Sequence, residues 1–179
     1  INIAAITNIS HDHLDYHKKF ENYKKSKLRL FTHKLKKNGI AIINENIKGA
    51  QTLKKKLINK NQIISFGKKD SDINIISKKN KIEIKIFSKK YQVSLLNYST
   101  IELENIACAI CCCLGLKINV KNIIKVLPKI TKPKGRLEEV GKLNNNSIIY
   151  VDYAHTPDAL KSALISKTIF KSKPNVVFG

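Results

Sequence analysis

Three short runs of branched apolar residues, IAAIT at 3–7, GIAIIN at 39–44 and IISFG at 63–67, are separated by stretches whose apolar residues recur at helical spacing. Strand, helix and strand in alternation build parallel βαβ units, and strands with little polar alternation are buried on both faces. The first intervening helix is expected over about 20–35, with Phe20, Tyr23, Leu30, Phe31 and Leu35 on one face and Asn38 and Gly39 as its stop. A second helix is expected over about 49–58. Between 72 and 96 the pattern shortens to INIIS, KIEIKIF and YQVSLL, broken by lysine and asparagine, which suggests an antiparallel ribbon at a sheet edge.

An apolar helix at about 101–114 and a shorter one at 120–126 come next. The segment PKITKPKGR, with Pro128 and Pro133, reads as a linker. After it, LEEVGKL, SIIYVDYA, a helix near 157–167 and a final strand at NVVFG begin a second α/β unit, with the boundary placed near Lys132. At 179 residues and 42% apolar content, the chain can bury a real core and is long enough to hold parts of two domains. It begins without methionine, in what reads as mid-strand, and stops in another strand, so it is read as an internal fragment.

The formal net charge of +21 invites a nucleic-acid partner, since clustered cations release counterions from a phosphate backbone. Distribution argues against that partner. Arg29 and Arg136 are the only arginines, and the lysines are scattered through every polar segment instead of striped along one element. Groove and phosphate readers favour the forked guanidinium. Abundant Lys, Ile and Asn fit a genome biased towards A- and T-rich codons. No run of about 18 apolar residues suits a membrane span, and INIAAITNIS lacks a signal-peptide layout, so a cytoplasmic protein without membrane insertion is expected. Cys108, Cys111, Cys112 and Cys113 crowd one apolar run. Adjacent helical positions cannot close one tetrahedron, so small buried hydrophobes are expected, with neither zinc nor disulfides.

Ligands of parallel α/β sheets sit beyond the carboxyl ends of strands, which places the loop bearing Asp12, His13, Asp15 and His17 well for a site. Asp and His together can bind Mg²⁺ weakly, because that ion prefers hard oxygens and keeps its waters. At about 100° per residue, Lys27 projects near the centre of the apolar face of the 20–35 helix. Its stem can snorkel outward, it can pair with a buried carboxylate, or its amine can be held neutral and reactive. Lys24 and Lys34 also lie towards this face.

The strings TNISHDHLDYH at 7–17 and ENYKKSKLRLF at 21–31 resemble the central-domain signature of the Mur ligases. Within that family they are most similar to the members that add the third residue to UDP-MurNAc-L-Ala-D-Glu. The resemblance implies that His13 binds Mg²⁺ and that Lys27 is carbamylated, which would turn a cation into a two-oxygen metal ligand. His11 departs from the arginine common in relatives. IELENIACAI at 101–110 is similar to the family's adenine-contacting helix, with Asn105 at the contacting position and Glu102 where relatives carry Asn or Gln.

Finally, GRLEEV at 135–140 and VDYAHTPDAL at 151–160 resemble the family's domain junction and nucleotide site. There Arg136 matches an ATP-contacting arginine, Asp152 the ribose-binding aspartate and His155 a histidine of the nucleotide site. Asp can accept ribose hydroxyls, Arg can neutralise phosphate, and Pro157 suits a helix start. Read without the resemblance, Asp152 and His155 could equally be a strand-end cap and a loop histidine.

The implied fold is a Mur ligase central ATPase domain at 1–132, a mostly parallel sheet flanked by helices with a small antiparallel ribbon. The start of a Rossmann-like C-terminal domain follows at 133–179. The implied activity is that of a monomeric ATP- and Mg²⁺-dependent amide ligase of peptidoglycan precursor synthesis. The γ-phosphate activates the D-Glu carboxylate of UDP-MurNAc-L-Ala-D-Glu as an acyl phosphate, and the amine of meso-diaminopimelate or L-lysine displaces it. No GxxxxGK[ST] loop is present, FGKKD at 66–70 cannot replace one, and the isolated chain is therefore expected to be inactive. Another ligase of the Mur and folylpolyglutamate synthase superfamily, acting on folates or on another step of the wall precursor, and a basic nucleic-acid-binding module are the alternatives.

Overall fold

A computed structural model describes residues 1–9, 19–78, 81–94, 98–165 and 173–177. They fall into two compact units, Ile1–Pro128 and Lys129–Gly179. The division lies inside the proline-bearing segment read as a linker.

The first unit is built on a six-stranded sheet whose spatial order follows the chain: β1 (Ile3–Ile6), β2 (Ile40–Asn44), β3 (Gln62–Phe66), β4 (Ile73–Lys78), β5 (Lys81–Ile86) and β6 (Lys89–Val93). β1 to β4 pair in parallel and β4 to β6 antiparallel, so the sheet is mostly parallel with the expected ribbon at one edge. Ala41, Ile42 and Ile43 are wholly buried, which explains the unbroken apolar run of β2. On one face Ala4, Ile6, Ala41 and Ile43 pack against Phe31 and against Ala50, Leu53 and Leu57 of α2 (Ala50–Leu57). Each fully buried isoleucine, leucine or phenylalanine side chain of this kind contributes about 1.5–3 kcal/mol. The spacing of those three α2 residues leaves Lys54, Lys55 and Lys56 for its last turn, where cations suit the helix dipole.

The opposite face is covered by α3 (Thr100–Gly115), which lies along β1 to β4. Gly115 lets the end of α3 approach Ile3 and Ile40; a Cβ there would stand 3.1 Å from Ile3 Cδ1. Ser99 caps α3 in a reciprocal box with Glu102, Ser99 N–H donating to Glu102 Oε2 at 2.6 Å and Glu102 N–H to Ser99 Oγ at 3.3 Å. Glu102, which departs from the family pattern, therefore has a local structural job. The short helix α4 (Val120–Val126) follows, capped by Asn119.

The helix expected over about 20–35 is two pieces. α1 (Phe20–Arg29) passes into a π-helical turn, Leu30–Lys34, closed by Leu35 N–H donating to Leu30 O at 2.9 Å. The wider turn alters the angular step, so projecting one α-helical face through residue 35 misplaces its side chains. Phe31 is buried while Leu30 is 38% exposed. Lys27, projected onto the middle of the apolar face, is exposed, and Tyr23 is the buried residue of α1.

The β3–β4 link, 67–72, is too short for a crossover helix, and the two strands share a single register pair, Phe66↔Ile73. Beside it, Glu45 is buried and accepts from Ser71 Oγ at 2.7 Å and from Lys54 Nζ.

In the second unit, β7 (Glu138–Lys142) and β8 (Ile148–Val151) form an antiparallel pair with an irregularity between Glu139 and Gly141. α5 (Pro157–Leu164) follows, with Thr156 as N-cap and proline in its first turn as expected. A final strand at NVVFG is not formed over its described residues, 175–177. Strand backbone needs a ladder partner for its N–H and C=O groups, and none of the described strands pairs with this segment. No described helix is long and apolar enough to cross a membrane.

Candidate functional site

β1 ends at Ile6, and the backbone leaves the sheet through Thr7 and Asn8. Together with Ala5 and Ile6 these residues form one wall of a cleft of about 640 Å³, whose other wall comes from Ser26, Lys27, Arg29 and Leu30 of the neighbouring helix. The cleft thus opens at the carboxyl end of a parallel strand, where such sheets bind ligands. Lys34 adds a third basic side chain to its lining. Lys27 Nζ stands 4.6 Å from the centroid of the Tyr23 ring. Lys27 is exposed, and its ammonium sits over the ring face in a cation–π contact. His13, the expected metal partner of Lys27, and the rest of the HDHLDYH string lie outside the described residues.

Further along the same sheet edge is a polar cluster that sequence reasoning missed. Asn44, the last residue of β2, is 1% exposed. Its amide nitrogen donates to Thr7 O at 2.7 Å and to Glu104 Oε2 at 2.9 Å, and its amide oxygen accepts from Asn46 N–H at 2.9 Å. Asn46 Nδ2 donates to Glu104 Oε1 at 2.8 Å. Gly67, at φ 103°, leaves room for this amide, since a Cβ would collide with Asn44 Oδ1. The available signal was a polar residue closing an otherwise apolar strand. Asn105, next to Glu104 on α3, is exposed and open to a ligand.

Two of the four cysteines bear out the reading as small buried hydrophobes. Cys108 and Cys111 are buried, whereas Cys112 and Cys113 are half-buried. Burial, with Cys112 beside it, pushes the Cys108 thiol up to about 12, and burial raises Cys111 further. Both are therefore protonated and poor nucleophiles at neutral pH.

In the second unit, Arg136, Asp152 and His155 come together around a residue given no role from sequence, Tyr153. The Arg136 guanidinium lies 5.5 Å from the Tyr153 ring centroid, and the His155 ring meets that ring edge-on at 5.1 Å. Tyr153 N–H donates to Gly135 O at 2.8 Å, which ties the two motif strings together. Asp152, just past β8, accepts from Leu137 N–H through Oδ2 and from Ala154 N–H through Oδ1, both at 2.8 Å. It is thus a strand-end cap, yet an exposed carboxylate with lone pairs to spare for another donor. His155 Nδ1 contacts Tyr153 O at 3.0 Å. A carbonyl can only accept, so Nδ1 carries the proton and Nε2 faces outward as an acceptor in the neutral ring. The signal for Tyr153 was an aromatic between Asp152 and His155 in DYAHTPD, and it is 67% exposed.

A family model of the Mur ligase middle domain matches residues 1–113. Over 187 aligned residues the chain is 36% identical to the UDP-N-acetylmuramoyl-L-alanyl-D-glutamate–2,6-diaminopimelate ligase of Rickettsia montanensis, covering 100% of this chain and 38% of that protein. A solved structure of a ligase of the same name is 27% identical, with a TM-score of 0.71 over 94% of this chain and 36% of its own. The MurF ligase of Thermotoga maritima, solved in complex with ADP, shares the fold at 23% identity and a TM-score of 0.75, over 92% of this chain and 39% of that one. The chain therefore spans well under half the length of the proteins it matches.

Proposed function

This chain belongs to the Mur ligase family, and on that premise we propose that it is part of the ATP-dependent enzyme that adds the third amino acid, meso-diaminopimelate or L-lysine, to UDP-MurNAc-L-Ala-D-Glu. The observation that carries this reading is 36% identity to a diaminopimelate ligase in an alignment that covers the whole chain, and with it all the motif strings. Residues 1–132 would then belong to the ATP-binding central domain and 133–179 to the start of the C-terminal domain. A monomer working in the cytoplasm on soluble substrates fits this role.

The nucleotide would be met by Asn105 from α3 and by Arg136, Asp152 and His155. Arg136 supplies fixed positive charge for phosphate, Asp152 a hydroxyl acceptor for ribose, and His155 an outward Nε2 acceptor. Tyr153 braces Arg136 and His155 from one ring.

For Mg²⁺ the donor set decides the fit. As an ammonium, Lys27 would repel the ion; as a carbamate it offers two hard oxygens, beside the Thr7 and Ser26 hydroxyls of the same cleft. His13 and carbamylated Lys27 would hold it. When bound, Mg²⁺ neutralises charge spread over the transferring phosphoryl group. Exposure of Lys27 gives carbon dioxide access to its amine. In the reaction the D-Glu carboxylate takes the γ-phosphoryl group, and the incoming amine then displaces phosphate to form the amide.

The test is product identification with the protein translated from the intact reading frame. Given ATP, Mg²⁺, UDP-MurNAc-L-Ala-D-Glu and each diamino acid in turn, mass spectrometry should find a UDP-MurNAc-tripeptide. Product only with a folate, or only with a different wall precursor, would assign the chain to another ligase of the superfamily.

A further inference from the structure

Glu104 does more than fill a helix position. Both of its carboxylate oxygens are engaged, Oε2 by Asn44 Nδ2 and Oε1 by Asn46 Nδ2. The two amides come from successive points of one chain segment, the last residue of β2 and the turn beyond it, and Asn46 N–H bonds back to Asn44 Oδ1. The second Asn44 amide hydrogen reaches Thr7 O, at the exit of β1. One side chain of α3 therefore grips the carboxyl ends of two neighbouring strands through an amide whose donors and acceptor are all used. Such fully satisfied polar networks fix one arrangement, and half-satisfied ones lose it.

We infer that Glu104 is a positioning residue whose carboxylate, through Asn44 and Asn46, locks the β1 exit at Thr7 to the second turn of α3. On the ligase reading proposed above, on which this role in binding depends, the lock holds two parts of the site in one frame. Asn105, the adjacent residue on α3, meets the nucleotide, and Thr7 shares its cleft with Lys27. A carboxylate is needed because two NH₂ groups converge on it; glutamine, equal in size, would turn its own NH₂ towards one of them.

Amide hydrogen exchange on the chain tests the lock independently of any activity, and affinity for a fluorescent ATP analogue tests its use. Glu104→Gln should speed exchange at Asn46 and at Thr7–Asn8 at least about tenfold, the loss of one charged hydrogen bond. Ile42, Ile43 and Ile110 should keep their protection. Pairing Glu104→Gln with Asn46→Asp reverses the donor and acceptor of the broken bond and should restore slow exchange, which a loss of packing alone would not allow. Uniform acceleration across the sheet, no local acceleration, or no rescue by the paired variant would each overturn the inference. So would local loosening with unchanged affinity, if the unaltered protein binds the analogue. If the protein translated from the intact reading frame fails to bind it, the ligase reading falls, and the exchange pattern still decides whether the lock exists.

Discussion

Replacing Glu45 offers a quantitative check on the account of the sheet edge. Its carboxylate is 8% exposed and serves two donors, Ser71 Oγ at 2.7 Å and Lys54 Nζ, so it ties α2 to the loop that starts β4. Glu45→Ala leaves the hydrogen of the Ser71 hydroxyl without an acceptor where Ser71 is 1% exposed, although its oxygen still accepts from Lys68 N–H, a loss of about 1–3 kcal/mol. The Lys54 side chain is 27% exposed and can turn to water, so its lost partner adds only about 0.2–1 kcal/mol. The expected total is about 1–4 kcal/mol. Glu45→Gln keeps an acceptor for Ser71 and should cost about 1 kcal/mol.

The pH dependence gives a second reading of the same contact. Burial alone would raise the Glu45 pKa, but the hydrogen bonds from Lys54 and Ser71 and the charges of Lys54 and Lys68 outweigh it and hold the pKa below the ordinary 4.5. A depressed folded-state pKa means stability fully present above the unfolded value and lost as pH falls through the folded one. Urea denaturation of wild type and Glu45→Gln, followed by circular dichroism, should therefore show a constant gap at neutral pH. That gap should begin to narrow as the pH falls below 4.5 and close only below the depressed folded-state value. A gap independent of pH, or Glu45→Ala no less stable than Glu45→Gln, would refute the reasoning.

Two further outcomes concern the site. In the intact ligase, Lys27→Ala should lower turnover by about 100-fold or more, the scale of losing a group that stabilises developing phosphoryl charge. Growth in ¹³C-bicarbonate should give a carbamate resonance that this variant lacks. Asp152→Asn should weaken ATP binding by about tenfold, the loss of one charged hydrogen bond to ribose; equilibrium titration with ATP and with its 2′,3′-dideoxy analogue would check it, since the variant should bind the two alike.

How much could be read beforehand varies with the physics of each element. The strands β1 to β3 were legible because burial on both faces demands near-continuous apolar runs, as in Ala41, Ile42 and Ile43. The antiparallel ribbon was legible because Ile82, Ile84 and Ile86 alternate with Glu83 and Lys85. Lys27 was placed at the centre of a buried face because Phe20, Leu30 and Leu35 were counted into that face, whereas Tyr23 is the buried residue of α1 and Leu30 is 38% exposed. The segment NVVFG reads as a strand by composition, but its described residues, 175–177, pair with none of the described strands.

At the site, the motif strings carried Asp152 and His155, while Tyr153 and Glu104 depend on pairings across 15 or more residues. Arg136 meets Tyr153 next to the point where Asp152 holds Leu137 N–H, and Glu104 finds Asn44 60 residues away. Neither pairing leaves a local sequence pattern.

The central claim is amide ligation through an acyl phosphate, and oxygen transfer tests it most directly. With ¹⁸O in both oxygens of the substrate's D-Glu carboxylate, one label should pass to the inorganic phosphate released by the intact enzyme while the other stays in the new amide. Phosphate released without label, or released equally when UDP-MurNAc-L-Ala-D-Glu is omitted, would contradict the account.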